Sequence, residues 1–148
     1  MNDEKIFSFP ADSSKVRISG RSLEKNSVRY IDYTNSFIEF EFVGTSASAE
    51  IISDLTPPED IYRAWAGVCV NGETIPSKVF KIDENKAVYE LYRSDKPQKT
   101  KIRLMKLSEA AFSKMGISEI HIDGELLPPP KPEYERRIEF VGDSITCG

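Results

Sequence analysis

The first place in this sequence where chemistry can be located is a serine that follows a run of β-forming residues. Gly142-Asp143-Ser144-Ile145 comes straight after Ile138-Glu139-Phe140-Val141, so the serine sits at the carboxyl end of a predicted strand, where a helix would begin. A hydroxyl at such a strand-to-helix turn is exposed, and the serine's own backbone N–H points to where the oxyanion of an acyl-transfer intermediate would form. Gly142 permits a close turn, and the N-terminal end of the coming helix favours developing negative charge. A serine also needs a proton acceptor before it can act as a nucleophile, and the sequence has one histidine, His121. It lies in Glu119-Ile120-His121-Ile122-Asp123, on the strand face opposite Ile120 and Ile122, and reads as an exposed strand residue rather than a base.

Aromatic side chains are the second chemical resource, because flat rings stack on sugar faces while nearby polar groups fix orientation. The candidates are Tyr62, Trp65, Tyr89 and Tyr92, with Trp65 and Tyr62 the choices for a carbohydrate-binding role. Ala66, Val68 and Val70 share one parity of their strand, and Trp65 has the other. Trp65 is thus a sugar platform, an interface to a neighbouring domain, or a core residue placed by a bulge. Phe37, Phe40, Phe42, Tyr30 and Phe80 read as core.

The elements that position these residues follow a period of two. Ile38, Phe40 and Phe42 alternate with Glu39 and Glu41, and Ala47, Ala49 and Ile51 with Ser46, Ser48 and Glu50. These are two consecutive strands separated by Gly44, each with one wet face. Asn71-Gly72 between residues 66–70 and 73–75 is a hairpin signal. Further strands are predicted over residues 15–20, 27–33, 77–82, 87–94, 99–107 and 116–123, with Asp83-Glu84-Asn85-Lys86 and Asp95-Lys96-Pro97 as turns. A short helix is predicted over residues 109–115. Ser108 is its N-cap, Leu107 and Phe112 form a hydrophobic staple, and Gly116 is its stop. Lys99, Lys101 and Arg103 alternate with Thr100, Ile102 and Leu104 and read as a solvated strand face.

At Leu127 the composition shifts. Pro128-Pro129-Pro130-Lys131-Pro132 is a stiff extended linker. A new strand over residues 136–141 and the serine turn then follow. The predicted organisation is a β-sandwich of residues 1–127, a linker of residues 128–132, and residues 133–148 as the start of a second domain that is incomplete and cannot bury a core of its own. The strand 136–141 would then lack its partners.

Composition narrows the function classes. With 148 residues, 39% hydrophobic and 30% charged, the chain has material for a packed core. A formal charge of −4 argues against nucleic acid, which needs a basic footprint. One histidine and two distant cysteines, Cys69 and Cys147, give no zinc cluster and leave room for at most one disulfide. No stretch approaches the ~20 apolar residues of a membrane span. The first residues lack the apolar segment of a signal peptide. The chain reads as soluble, in the cytoplasm or secreted with its leader removed.

The block Gly142-Asp143-Ser144-Ile145 resembles the first sequence block of the SGNH (GDSL-type) hydrolases. The wider run from Ile138 through Gly142-Asp143-Ser144-Ile145-Thr146-Cys147-Gly148, with Arg17-Ile18-Ser19-Gly20-Arg21 and Lys106-Leu107-Ser108-Glu109-Ala110-Ala111, resembles carbohydrate esterase family two. The resemblance runs from about Val16 to Gly148. It implies an all-β antiparallel sandwich or jelly roll with one short helix, followed by the truncated first strand of an α/β SGNH domain. It implies removal of acetyl groups from xylan, glucomannan and related sugars without a cofactor. Ser144 would be the nucleophile, with Gly142 and Asp143 supporting the turn and Asp143 not the acid of a triad. The partners implied are an acetylated polysaccharide or oligosaccharide and the chain's own C-terminal SGNH domain. The family's histidine and its other oxyanion donors come from later blocks, so residues 1–148 alone are expected to be inactive. A structural or cleft-shaping role is favoured over an independent carbohydrate-binding module.

Overall fold

A pair of runs in the sequence switch the parity of their buried residues midway along, and the fold turns on them. The structure is a computed structural model that describes residues 5–53 and 62–147. Its longest strands are β5 (Phe37–Ile52) and β8 (Lys86–Lys106), preceded or separated by β1 (Phe7–Pro10), β2 (Arg17–Ser19), β3 (Leu23–Lys25), β4 (Val28–Tyr30), β6 (Trp65–Val70) and β7 (Lys78–Lys81). β9 (Gly116–Ile122), β10 (Glu125–Leu126) and a single helical turn, α1 (Ser144–Cys147), complete the described elements. On β5 the buried apolar side chains are Ile38, Phe40 and Phe42, then Ala47, Ala49 and Ile51. On β8 Leu91 is buried, then Thr100, Ile102, Leu104 and Lys106. Because side chains alternate faces, a change of parity means that the strand crosses a bulge and turns its other face to the core.

The bulge lies where the two strands pair. Their register runs from Phe37↔Met105 to Gly44↔Gln98 and resumes at Ser46↔Arg93, so Thr45 alone faces Ser94, Asp95, Lys96 and Pro97. Asp123, just after β9, clamps this corner. It accepts from Thr45 N (2.8 Å to Oδ1), from Ser46 N (3.0 Å to Oδ1) and from the Thr45 hydroxyl. A Cβ on residue 44 would lie 2.4 Å from Asp123 Oδ1, so only glycine lets the carboxylate approach this closely.

Both long strands therefore serve two layers. Past the corner, β5 pairs with β9, which pairs in turn with β1 and β4, and β4 with β3. Before the corner, β5 takes β2 and β10 on one side and β8 on the other, and β6 and β7 extend the layer beyond β8. The result is an antiparallel β-sandwich of jelly-roll type, closed over Phe40, Phe42, Ile102, Leu104, Ile120 and Ile122.

Several sequence expectations are corrected. Gly44 does not divide one strand from the next and Asp95-Lys96-Pro97 is not a connecting turn, because both lie inside continuous strands as the opposite sides of the bulge. Asn71 and Gly72 do form the turn, with φ of 50° and 85°, but residues 73–75 are not a strand. Pairing resumes at Lys78, opposite Val68, because Glu73 Oε2 instead accepts from Val70 N (2.9 Å) and from the Ser77 hydroxyl (2.6 Å). The helix over 109–115 is only a turn. Its intended N-cap oxygen, Ser108 Oγ, accepts from Trp65 N (3.1 Å), and the Glu109 carbonyl accepts from buried Lys106 Nζ (2.9 Å). The predicted strand over 136–141 forms no ladder; a lone extended segment gains nothing without a neighbour, and Ile138, Phe140 and Val141 stay exposed. Phe37, Tyr30 and Phe80 are half-buried at the core's margin. The short strands β1, β3 and β10 have no counterpart in the period-two reading.

Candidate functional site

At the serine turn, Asp143 Oδ1 accepts from Ile145 N (3.0 Å) and the Asp143 carbonyl from Thr146 N (3.1 Å). Asp143 thus caps the first turn of α1, whose first residue is Ser144. A Cβ on residue 142 would stand 2.0 Å from Thr146 Oγ1, so the return of the chain over itself requires glycine there. Gly148, the end of the motif run, lies outside the described residues. His121 sits on β9 between Ser8 of β1 and Ser48 of β5. Flanked by strands on both sides it is half-buried rather than exposed, a correction to the sequence reading, and its Nε2 is 2.9 Å from Glu119 Oε2. Among the described residues no three His, Cys, Asp or Glu side chains gather as a metal site. Cys69 is a buried free thiol whose pKa is raised by its burial. No helix among the described residues is long and apolar enough to cross a membrane.

The aromatic candidates divide. Tyr89 stacks on Phe80 at 5.2 Å between centroids, and its hydroxyl accepts from Asp83 N (3.2 Å). Tyr92 meets Phe42 edge-on at 6.1 Å. Both are built into the sandwich wall. Trp65 is 39% exposed, so it is not a core residue and no bulge turns it inward. The first strand residue of β6, it is bonded through its main chain to Ser108 Oγ and to Leu107 N. Tyr62 meets Phe112 in a tilted contact, 5.0 Å between centroids with the rings 35° apart, and Phe112 is itself 44% exposed. Segment 62–65 and the 107–113 loop thus bring Tyr62, Phe112 and Trp65 to one region. The spacing of Phe112 suits a helix staple, and that hides its place here. Lys106 holds that loop down: fully buried, it donates to the Asp32 carbonyl (2.7 Å) and to the Glu109 carbonyl.

A third feature is masked in the sequence by the alternation of Ile38, Phe40 and Phe42. Glu39, expected on a wet face, is fully buried. Arg17 of β2 and Arg103 of β8 lie directly opposite it in register. Arg17 donates from Nε (3.1 Å) and Nη2 (3.0 Å) to Oε1. Arg103 donates from Nε (2.9 Å) to Oε2, with its Nη2 also 2.9 Å away. Both guanidinium groups stand over the Phe37 ring, at 5.3 and 4.3 Å. The face that Lys99, Lys101 and Arg103 share is thus a row of ion pairs, solvated at Lys99 and half-buried at Lys101 and Arg103. Lys99 Nζ is 3.0 Å from Glu41, and Lys101 holds Glu133 of the segment after the linker. That hydrogen bond and the charge of Lys101, aided by Arg103 and Arg17, lower the Glu133 pKa. The legible signal was opposite charge at facing positions of β5 and β8. Residues 132–139 cross this face and close a cleft of about 750 Å³ with Arg17, Phe37 and Arg103.

Three comparisons with known proteins bear on these sites. A family model described as carbohydrate esterase 2 N-terminal matches residues 18–130. The chain is 31% identical over 116 residues to the cellulase/esterase CelE of Acetivibrio thermocellus, covering 78% of this chain and 13% of that protein. It is 30% identical over 148 residues to the acetylxylan esterase / glucomannan deacetylase of Cellvibrio japonicus, covering 95% of this chain and 38% of that protein. The chain therefore spans well under half the length of these curated relatives. Among solved structures, a family two carbohydrate esterase from Clostridium thermocellum in complex with cellohexaose superposes with a TM-score of 0.73 at 28% identity, over 89% of this chain and 38% of that one.

Proposed function

The chain belongs to the carbohydrate esterase 2 N-terminal family, and from that premise we propose that it is the accessory β-sandwich of a serine esterase that removes acetyl groups from plant polysaccharides, with Ser144 the nucleophile of the SGNH domain it leads into. The observation that carries this reading is the order of its segments. A sandwich matching the family over residues 18–130 is followed by a proline linker and then by a serine turn capped by Asp143. In the full reaction Ser144 would attack the acetyl carbonyl, the sugar oxygen would leave with a proton, and water would hydrolyse the acyl-enzyme. Residues 1–148 hold one imidazole, His121, on β9 and bonded to Glu119. That imidazole belongs to the sandwich, so on this reading the stretch itself is inactive. Hydrolysis of 4-nitrophenyl acetate tests this. Residues 1–148 should match buffer, a protein continuing through the catalytic domain should turn over, and Ser144→Ala in that longer protein should lose about six orders of magnitude in kcat. Turnover by residues 1–148 that Ser144→Ala abolishes would contradict it.

The exposure of Trp65 next to the Tyr62–Phe112 pair favours a second, compatible role, in which the sandwich contributes an aromatic edge to a sugar-binding surface. Retardation in affinity electrophoresis through xylan or glucomannan gels, weakened by Trp65→Ala, is the expected result. Equal, unretarded migration of both proteins would remove this role and leave a purely structural one.

A further inference from the structure

Burying a carboxylate completely is costly, and ion pairs inside a protein rarely repay that cost as stability. What a buried carboxylate does well is hold its partners still. Glu39 fixes two guanidinium groups at once, each through its Nε and Nη2 edge. That leaves the Nη1 ends of Arg17 and Arg103 without a partner among the described residues. Their side chains keep only 18% and 20% of their exposure. The Phe37 ring beneath both groups fixes their height. Arg17 and Arg103 both line the same cleft, and Glu39 holds them in position before any ligand arrives.

The charge of that cleft is positive. Glu39 offsets one of its two arginines, and Glu133 is bonded to Lys101 while lying near enough to Arg103 and Arg17 for their charges to lower its pKa. Arg136 and Arg137 also line the cleft, and the remaining acid of its lining is Glu139. Rigid guanidinium N–H pairs match a carboxylate better than any neutral group. The volume of about 750 Å³ is that of a pocket for a small organic ligand rather than a lone ion. We propose that this cleft binds a sugar bearing a carboxylate, a hexuronic acid unit, with the carboxylate bridging Arg17 and Arg103. That the anion is carried by a sugar rests on the saccharide-handling role proposed above.

Titration of residues 1–148 with glucuronic and galacturonic acid, followed by ¹H–¹⁵N shifts including the arginine side chains, tests it. Glucose serves as the neutral control and acetate as the bare anion. Uronate binding that moves the Arg17 and Arg103 signals, with acetate at least about tenfold weaker and glucose silent, is expected. Arg103→Gln should weaken uronate binding about tenfold or more. Arg137→Gln, on an exposed segment that cannot unfold the sandwich, should weaken it several-fold. Trp65→Ala should leave it unchanged, so that loss of the neutral-polysaccharide role and loss of this site read out separately. Three results would overturn the proposal: no uronate binding, acetate binding as tightly as uronate, or uronate binding that vanishes in a longer protein because a carboxylate of the following segment fills the seat.

Discussion

Asp123 shows how much one carboxylate can organise. Burial by itself would raise its pKa, but the Thr45 hydroxyl and the Ser46 and Thr45 amides hydrogen-bond the ionised form and together hold the value below normal. Its folded pKa lies under the unfolded value of about 3.9. The stabilisation is therefore present above that pH and is lost as pH falls through the lowered folded value. Asp123→Asn should cost about 1–3 kcal/mol at neutral pH and flatten the acid limb of the stability–pH curve, both measurable by urea titration from pH 2.5 to 7. A variant as stable as the parent at pH 7 would show that the corner closes without the clamp. Lys106 makes a similar point with the opposite charge. No period-two reading places a fully buried ammonium group on a core face, because the reading sees only that residue 106 continues the parity of Ile102 and Leu104. The three-dimensional fact is that loop carbonyls and amides meet at its end of β8, among them Asn35 N on its own carbonyl (2.8 Å) and its amide on Ser36 O (3.1 Å).

At the scale of elements, the strand content was legible because alternation survives burial: β4, β6, β7 and β9 fall where the pattern puts them. The bulge was half legible. The parity change from Phe42 to Ala47 is in the sequence, but glycine between two apolar runs is equally the sign of a turn, and only the pairing of β5 with β8 decides between them. The helix over 109–115 failed for a different reason. Its cap residue, Ser108, met a better donor in Trp65 N than in its own loop, an outcome that local sequence cannot show. Gly44→Ala would force the new methyl against Asp123 and the Phe42 ring. It should cost about 1–3 kcal/mol, read as a lower midpoint in thermal unfolding. An unchanged midpoint would mean that the corner relaxes freely.

For the whole molecule, the turn at Gly142-Asp143-Ser144 was legible because its cap and its close approach depend on local chemistry. What depends on convergence was not legible, as at Glu39 with Arg17 and Arg103, which come from three strands. The sandwich ends physically at the segment that Lys101 pins through Glu133. Beyond it, Ile138, Phe140, Val141 and Ile145 are 75–91% exposed and contribute nothing to the core. Ending the chain after residue 135 should therefore move the unfolding free energy by no more than about 0.5 kcal/mol; a larger loss in calorimetry would mean that this segment packs on the sandwich.

On the function proposed above, Ser144 is a nucleophile in waiting, activated only by a base that residues 1–148 do not bring to it. Covalent trapping reads this directly. A fluorophosphonate probe followed by peptide mass spectrometry should label Ser144 in a protein that continues through the catalytic domain, and should leave residues 1–148 unmodified under the same conditions. Equal labelling of Ser144 in both, or labelling of a different serine in the longer protein, would contradict the account.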